Sequence, residues 1–399
     1  MITDLRIIQP PAVTFGPSGF SFVEPEFNTR IIRATDEDTD NGKSYTMGST
    51  GGVNLWSRDS RLFAAQHVGG GWQIFSFDAK SFTVKPVVSY SSNRPSIHFS
   101  TKDANVWFVY QNGVVYKFTK NQGFVIWCDF GLVLPVGYNI KWHSTFSVSR
   151  DEKACTMAFS NGSQNSAHLI VSYREGKGFR LLDTGIGLIS GDWGYAGRVD
   201  DGINDPKQLW QGFEIHGCQQ MKDSNFATFG SDGESGGVKF LWPIEGVRLY
   251  PVAITGHMAE GFDKFVTLGD SLKVRYQDFF SATIREVAEG PRIDPKPSQD
   301  SHYSWNSKDD DSRILVSTAS PSRQIVPYPK PGWNEILTFD LKGNLYRHCH
   351  TFNDLGPDDS DVNFAVKNSI AVISPDGKWA AWAKKFPGNQ SHILIAKLT

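Results

Sequence analysis

Seven times along the chain an apolar segment runs into a polar turn that carries an aspartate and emerges as a second apolar segment. The copies read VNLWSRDSRLFAAQ, HFSTKDANVWFVY, TFSVSRDEKACTMAFS, QQMKDSNFATFG, EGFDKFVTLG, YSWNSKDDDSRILVST and AVISPDGKWAAWA. Their central acids are Asp59, Asp103, Asp151, Asp223, Asp263, Asp309 and Asp376, spaced 44, 48, 72, 40, 46 and 67 residues apart. Aspartate in a tight turn accepts hydrogen bonds from the backbone two residues on and tolerates left-handed conformations, so each copy predicts a β-hairpin. A third strand follows every hairpin, in WQIFSFD, VVYKFT, HLIVSYR, VKFLWPI, LKVRYQDF, NEILTFDL and HILIAKL. A fourth follows all but the last.

Four strands per unit, recurring at this period, describe the blade of a β-propeller. The expectation is an all-β chain, a single seven-bladed β-propeller over residues 1–399, with blades starting near 51, 96, 142, 213, 254, 301 and 368. The seventh unit runs out of chain before a fourth strand. The segment TRIIRAT at 29–35, inside an N-terminal arm of residues 1–50, is expected to supply that strand and close the ring, leaving no sheet edge unpaired. Composition agrees, since 38 Gly and 20 Pro serve turns while 28 Phe, 12 Trp and 12 Tyr serve strands.

Charge and motif content remove several classes of function. Forty Lys and Arg against 42 Asp and Glu give a net charge of −2, without the basic footprint of a nucleic-acid binder. No apolar run is long enough to span a bilayer, so no membrane partner is expected. The start MITDLRIIQPPAVTFG lacks a signal peptide's basic and apolar regions, leaving a cytoplasmic protein or the mature form of a secreted one as the expectations. Four scattered cysteines make neither a zinc finger nor a disulfide framework, and a monomer is expected. GxSxG, Walker, dinucleotide and HExxH signatures are all missing.

The histidines are patterned. His98, His143, His216, His257 and His302 stand five to eight residues before the turn acids of five consecutive units, at the start of the innermost strand, which lines a propeller's channel. His348 and His350 form an HxH in a fourth strand, where alternate residues share a face. Convergent imidazoles suit a divalent metal or a general base near neutral pH. Hydrogen bonding between blades is the competing reading for each one. Two insertions rich in Gly, Pro and aromatics, at 185–217 and 321–333, are placed to build a binding face.

The run ISPDGKWAAWA, with weaker copies SVSRDEKACTMAFS and NLWSRDSRLFAAQ, resembles the TolB/WD40-like propellers. FVEPEFNTRIIRATD, SHYSWN and PGWNEILTFDLKGNLYRHCH are similar to segments of seven-bladed propellers that include oligogalacturonate lyase and related polysaccharide lyases. The resemblance implies β-elimination on uronate-containing glycans, a carbon–oxygen lyase reaction. It also implies a divalent metal (Mn, Zn or Ca) at channel histidines, here His257, His302, His348 and His350. Elimination needs the uronate carboxylate neutralised and a base for the C5 proton. His216, His257, His302, Tyr303 and Arg347 are the candidates for these roles, and Trp193, Tyr195, Trp210, Trp305 and Trp333 for stacking on sugars. Two other readings stand beside it. One is a non-catalytic propeller that binds a glycan or a protein; the other is a glycoside hydrolase drawing a carboxylate pair from Glu214, Glu260, Asp263, Asp309 and Glu335.

Overall fold

Three of the turn aspartates sit in loops of one build. Ser57, Ser149 and Ser374 each donate through Oγ to the aspartate two residues on, at 2.8, 2.6 and 2.6 Å. The residue after the aspartate swings to positive φ, 61° at Ser60, 55° at Glu152 and 69° at Gly377. Its amide donates back to the serine carbonyl, and the serine N–H closes the hairpin on Leu62, Ala154 or Trp379. Only glycine adopts such a φ freely. Ser60 and Glu152 are held there by the hydrogen bonds on either side of them.

In the computed structural model the described residues are 3, 6–39, 43–47, 53–90, 96–140, 146–161, 167–200, 213, 215, 217–231, 238–254, 257–268, 273–287, 300–305, 313–319, 331–353, 369–386 and 390–398. They form an all-β propeller whose only helix among these residues is the single 3-10 turn Phe130–Leu132. None of their helices is long and apolar enough to cross a membrane.

Six blades are antiparallel sheets of consecutive strands. The second is typical: Ser96–Phe99 is innermost, followed outward by Trp107–Gln111, Val114–Thr119 and Gly123–Asp129. The third extends beyond its fourth position with Leu188–Gly191 and Gly197–Arg198, formed by the first insertion. Six blades of this build stand where the sequence reading expected seven, and the remaining sheet is a composite of both chain ends. Val372–Ile373, Trp379–Phe386 and Gln390–Lys397 are joined there by Thr29–Arg33, with Ile31 opposite Ala396 and Arg33 opposite Leu394. A further strand, Ser21–Glu24, lies outside them and has no counterpart in the sequence reading.

Apolar cores lie between neighbouring sheets. Ile32, Trp379 and Ile395 of the composite sheet pack with Phe63 and Phe75 of the first blade. Ile31, Trp382 and Leu394, on its other face, pack with Leu315 and Ile336 of the sixth. The same alternation joins the second blade to the third through Phe108, Phe130 and Phe159, and the third to the fourth through Ile170 and Trp242.

Buried charge pins the N-terminal arm to the sixth blade. Glu24 accepts the His350 amide through Oε2 at 3.1 Å and the imidazole Nδ1 through Oε1, while His350 Nε2 donates to the Ile8 carbonyl at 3.1 Å. Beside it Arg347 forks onto Glu335, Nε to Oε2 at 2.8 Å and Nη2 to Oε1 at 2.6 Å, and donates from Nη1 to the Arg6 carbonyl at 2.7 Å. All four side chains are fully buried. Removing one partner of such a pair leaves a buried polar group uncompensated, so Glu24→Ala is expected to cost about 3–5 kcal/mol in a denaturant-unfolding experiment. The exposed neighbour substitution Val23→Ala should leave the transition nearly unmoved; equal effects from the two would show that the pair does not anchor the arm.

Candidate functional site in the channel

The innermost strands of six blades bring polar side chains to one cavity of about 520 Å³, counted with its open mouth. Asn54, His98, Arg150, Gln219, Lys222, Glu260, Tyr303 and Trp305 line it. The hairpin build explains several of these. Arg150 and Lys222 each precede a turn aspartate, and with Ser149 and Asp151 bonded to each other, Arg150 is left to point out of its loop. The two cations are tied by a backbone bond from Arg150 N to Lys222 O at 2.8 Å. Lys222 Nζ then sits 4.6 Å from the centre of the Trp305 ring, a cation–π contact. The indole can lie there because residue 261 is glycine: a Cβ would come within 2.5 Å of it.

Glu260 is the carboxylate among the described lining residues. It accepts from Thr228 Oγ1 at 2.9 Å. Burial pushes its carboxyl upward, against the opposing pull of Lys239, the Thr228 hydroxyl and Lys222. His98 behaves oppositely: burial, helped by Arg150, brings its pKa down to about 3, so its ring is neutral near pH 7. His98 Nδ1 and Trp305 Nε1 are buried and have no hydrogen-bond partner among the described residues. An unmet buried donor or acceptor costs about 1–3 kcal/mol, which makes both atoms natural contacts for a polar ligand.

The expected site residues divide into four groups. Tyr303 and Trp305 line the cavity, the Tyr303 hydroxyl fixed by bonds from Leu268 N at 3.0 Å and Thr267 Oγ1 at 3.1 Å. His257 and His302, from adjacent blades, meet ring to ring with centroids 4.4 Å apart. His216 and Trp210 lie outside the described residues, as do His143, Glu214 and Asp309.

The rest stand elsewhere, for identifiable reasons. Arg347, His348 and His350 belong to Leu345–His350, the sixth blade's outermost strand, far across the sheet from its inner strand. The HxH does not share a face either. Its strand slips register between Ile336 and Leu337, leaving His348 as the extra residue of a bulge. His348 therefore bonds Thr338 Oγ1 at 2.7 Å, while His350 turns with Arg347 toward Glu335 and Glu24. Both His350 nitrogens are held by the protein, and burial brings His348 down to about 3. This HxH does not fit a metal, and no cluster of three or more His, Cys, Asp or Glu side chains among the described residues does. Trp193 and Tyr195 follow the third blade's added outer strand and run along the 245–249 turn of the fourth, Tyr195 N bonding Glu245 O at 2.9 Å. Trp333 is buried, 3% exposed, and does not line the cavity. Of the proposed carboxylate pair members, Glu335 is bound to Arg347 and Asp263 to Lys264 at 2.9 Å. The cations Arg150 and Lys222 escaped the sequence reading, although the recurrence of a basic residue before the turn acid could have signalled them.

The sequence matches no protein-family model and no curated protein. In structure the chain is similar to oligogalacturonate lyase from Vibrio parahaemolyticus, with a TM-score of 0.55 and 10% identity over 95% of this chain and 96% of that one. It is similar also to an oligogalacturonate lyase in complex with manganese, at TM-score 0.55 and 11% identity over 96% and 97% of the two chains. The C-terminal WD40 domain of Sif2 gives 0.47 at 12% identity over 90% and 97%. At these identities the likeness is one of fold.

A histidine with a depressed folded pKa costs stability as pH falls, because the unfolded imidazole binds its proton near 6.5 and the folded one only near 3. Glu260, with its carboxyl raised, contributes in the opposite sense. The His98→Gln variant isolates the first effect. Its stability measured by urea unfolding should decline less than the parent's between neutral pH and pH 4, by on the order of 3 kcal/mol. Parallel pH profiles would show that His98 is not held neutral in the cavity.

Proposed function

We propose that the protein is a carbohydrate-active enzyme that cleaves uronate-containing oligosaccharides by β-elimination in the channel cavity. In this reading the composite sheet is the seventh blade and closes the ring, supported by its packing on both the sixth and the first blade. The observation that carries the reading is the pairing of two cations, Arg150 and Lys222, with a carboxyl whose pKa is raised, Glu260.

The chemistry follows from those groups. Arg150 and Lys222 draw charge from the C6 carboxylate of the bound uronate, which makes the C5 proton acidic. Glu260, a stronger base than an ordinary carboxylate once ionised, takes that proton. The C5–H electron pair becomes the C4–C5 double bond, the C4–O bond breaks, and the departing oxygen takes up a proton. The proposed source of that second proton is water entering by the cavity's open mouth. His98 and Trp305 offer neutral polar contacts to the sugar, and the Trp305 face a stacking surface.

A hydrolase requires a second carboxyl across the pocket. Glu260 is the sole carboxylate among the described lining residues, which favours elimination. Incubating the protein with a panel of uronate oligosaccharides and following the ultraviolet absorbance of the unsaturated product tests the reading. Product should form, and Glu260→Gln and Arg150→Gln should each slow it about a hundredfold. A flat trace across the panel, with saccharide binding retained, would assign the cavity to a non-catalytic glycan-binding propeller instead.

A further inference from the structure

Two of the four cysteines, 27 residues apart in the chain, meet across the boundary between the second and third blades. Cys128 stands on the second blade's outermost strand, Gly123–Asp129. Cys155 stands on Ala154–Asn161, the strand beside the third blade's inner Ser147–Val148. A bulge brings Cys128 round: its strand slips register between Ile126 and Cys128, and the exposed run 124–126 gives way to a buried side chain. The two sulfurs lie 3.8 Å apart, in contact and unbonded. Both belong to the core that Phe108, Phe130 and Phe159 form between these blades, whereas Cys218 and Cys349 lie in two other cores.

A disulfide holds its sulfurs at about 2.05 Å, so about 1.8 Å remains to be closed, shared between two side chains that rotate about Cα–Cβ. The two thiols are not equivalent. Cys128 keeps 4% of its surface exposed and Cys155 none. Burial and the neighbouring Cys128 sulfur push the Cys155 thiol well up, so it keeps its proton. A small oxidant therefore meets Cys128 first, with a protonated Cys155 already in contact behind it.

We infer that Cys128 and Cys155 are an oxidisable pair, which a small hydroperoxide converts to a disulfide tying the second blade to the third and a thiol reductant restores. The Cys128 sulfur attacks one peroxide oxygen and the O–O bond breaks. The departing oxygen takes the Cys128 thiol proton and leaves as water or an alcohol, and Cys128 becomes a sulfenic acid. The Cys155 sulfur then attacks Cys128 Sγ, the S–O bond breaks, and the hydroxyl takes the Cys155 proton and leaves as water. The two sulfurs give up two electrons in all, and the peroxide receives them. Because Cys155 is in contact from the start, the disulfide forms before the sulfenic acid meets a second peroxide. Neither cysteine lines the cavity, so the inference is independent of the lyase reading.

Treating the folded full chain with hydrogen peroxide, then counting thiols after unfolding in denaturant, tests the pair. The count should fall from four to two, and dithiothreitol should restore it. Peptide mapping should find Cys128 joined to Cys155. The Cys218→Ala/Cys349→Ala double variant should lose both of its thiols in the same way. In Cys155→Ala the cross-link should be absent and the sulfenic acid at Cys128 should be trapped by dimedone. Mapping of the parent protein decides the matter without any variant, should one of them fail to fold. An undiminished thiol count, a disulfide mapped to Cys218 or Cys349, or Cys128 carried to sulfinic acid without a cross-link would each overturn the pair.

Discussion

The hydrogen bond from a serine hydroxyl to the aspartate two residues on determines where the inner strands leave the channel wall. In the loops at Asp59 and Asp151 it occupies both flanking side chains, and the residue between them faces the neighbouring turn or the channel. That residue is arginine in both, Arg58 and Arg150. The loop at Asp376 has proline in the same place and contributes no charge there. A conformational requirement of the turn thereby decides which positions can carry chemistry. It also fixes their spacing around the channel, because each loop leans on the next through a carbonyl of its neighbour.

Electrostatics at the outer rim work differently. Arg347, Glu335, His350 and Glu24 are taken fully out of water, and the cost of doing so is offset only because every charged atom finds a partner of opposite sign or a carbonyl. Such a cluster gains little over a well-packed apolar one, yet it is intolerant of any single loss. It specifies how residues 6–24 lie across the sixth blade rather than adding greatly to stability. A histidine so committed has no nitrogen left for a metal ion, which separates the HxH of this chain from a ligand set.

Local features were legible and long-range ones were not. The Asp turns and the strands around them follow from a few adjacent residues, and they mark the blades correctly along most of the chain. The face on which His348 and His350 lie depends on a register slip against Ile336 and Leu337 in the partner strand, which nothing in LYRHCH announces. Arg347 reads as a surface cation beside that motif, while its contacts come from Glu335 and from the Arg6 carbonyl near the opposite end of the chain. The first insertion was visible as an insertion, but its direction was set by pairing with the 245–249 turn, which carries Trp193 and Tyr195 outward. Tyr303 and Trp305, named in the sequence for standing beside His302 and for an aromatic face, line the cavity because they lie on and just past the inner strand Asp300–Ser304.

The cavity's pH behaviour follows from which of its groups can change charge. Arg150 and Lys222 are the cationic side chains of its lining. His98 titrates far below neutrality, near 3, and so contributes a dipole and no charge. Glu260 alone among the described lining groups is pushed toward neutrality from the acid side, by a burial that the nearby lysines oppose. In the proposed reading Glu260, the group placed to accept a proton, is thus the variable one. A ligand carboxylate entering beside Glu260 raises that carboxyl further, whereas its contact with Arg150 and Lys222 screens the effect. In the proposed lyase reading, binding and proton transfer are coupled through the same two cations, so a substitution at either one is expected to alter affinity and basicity together.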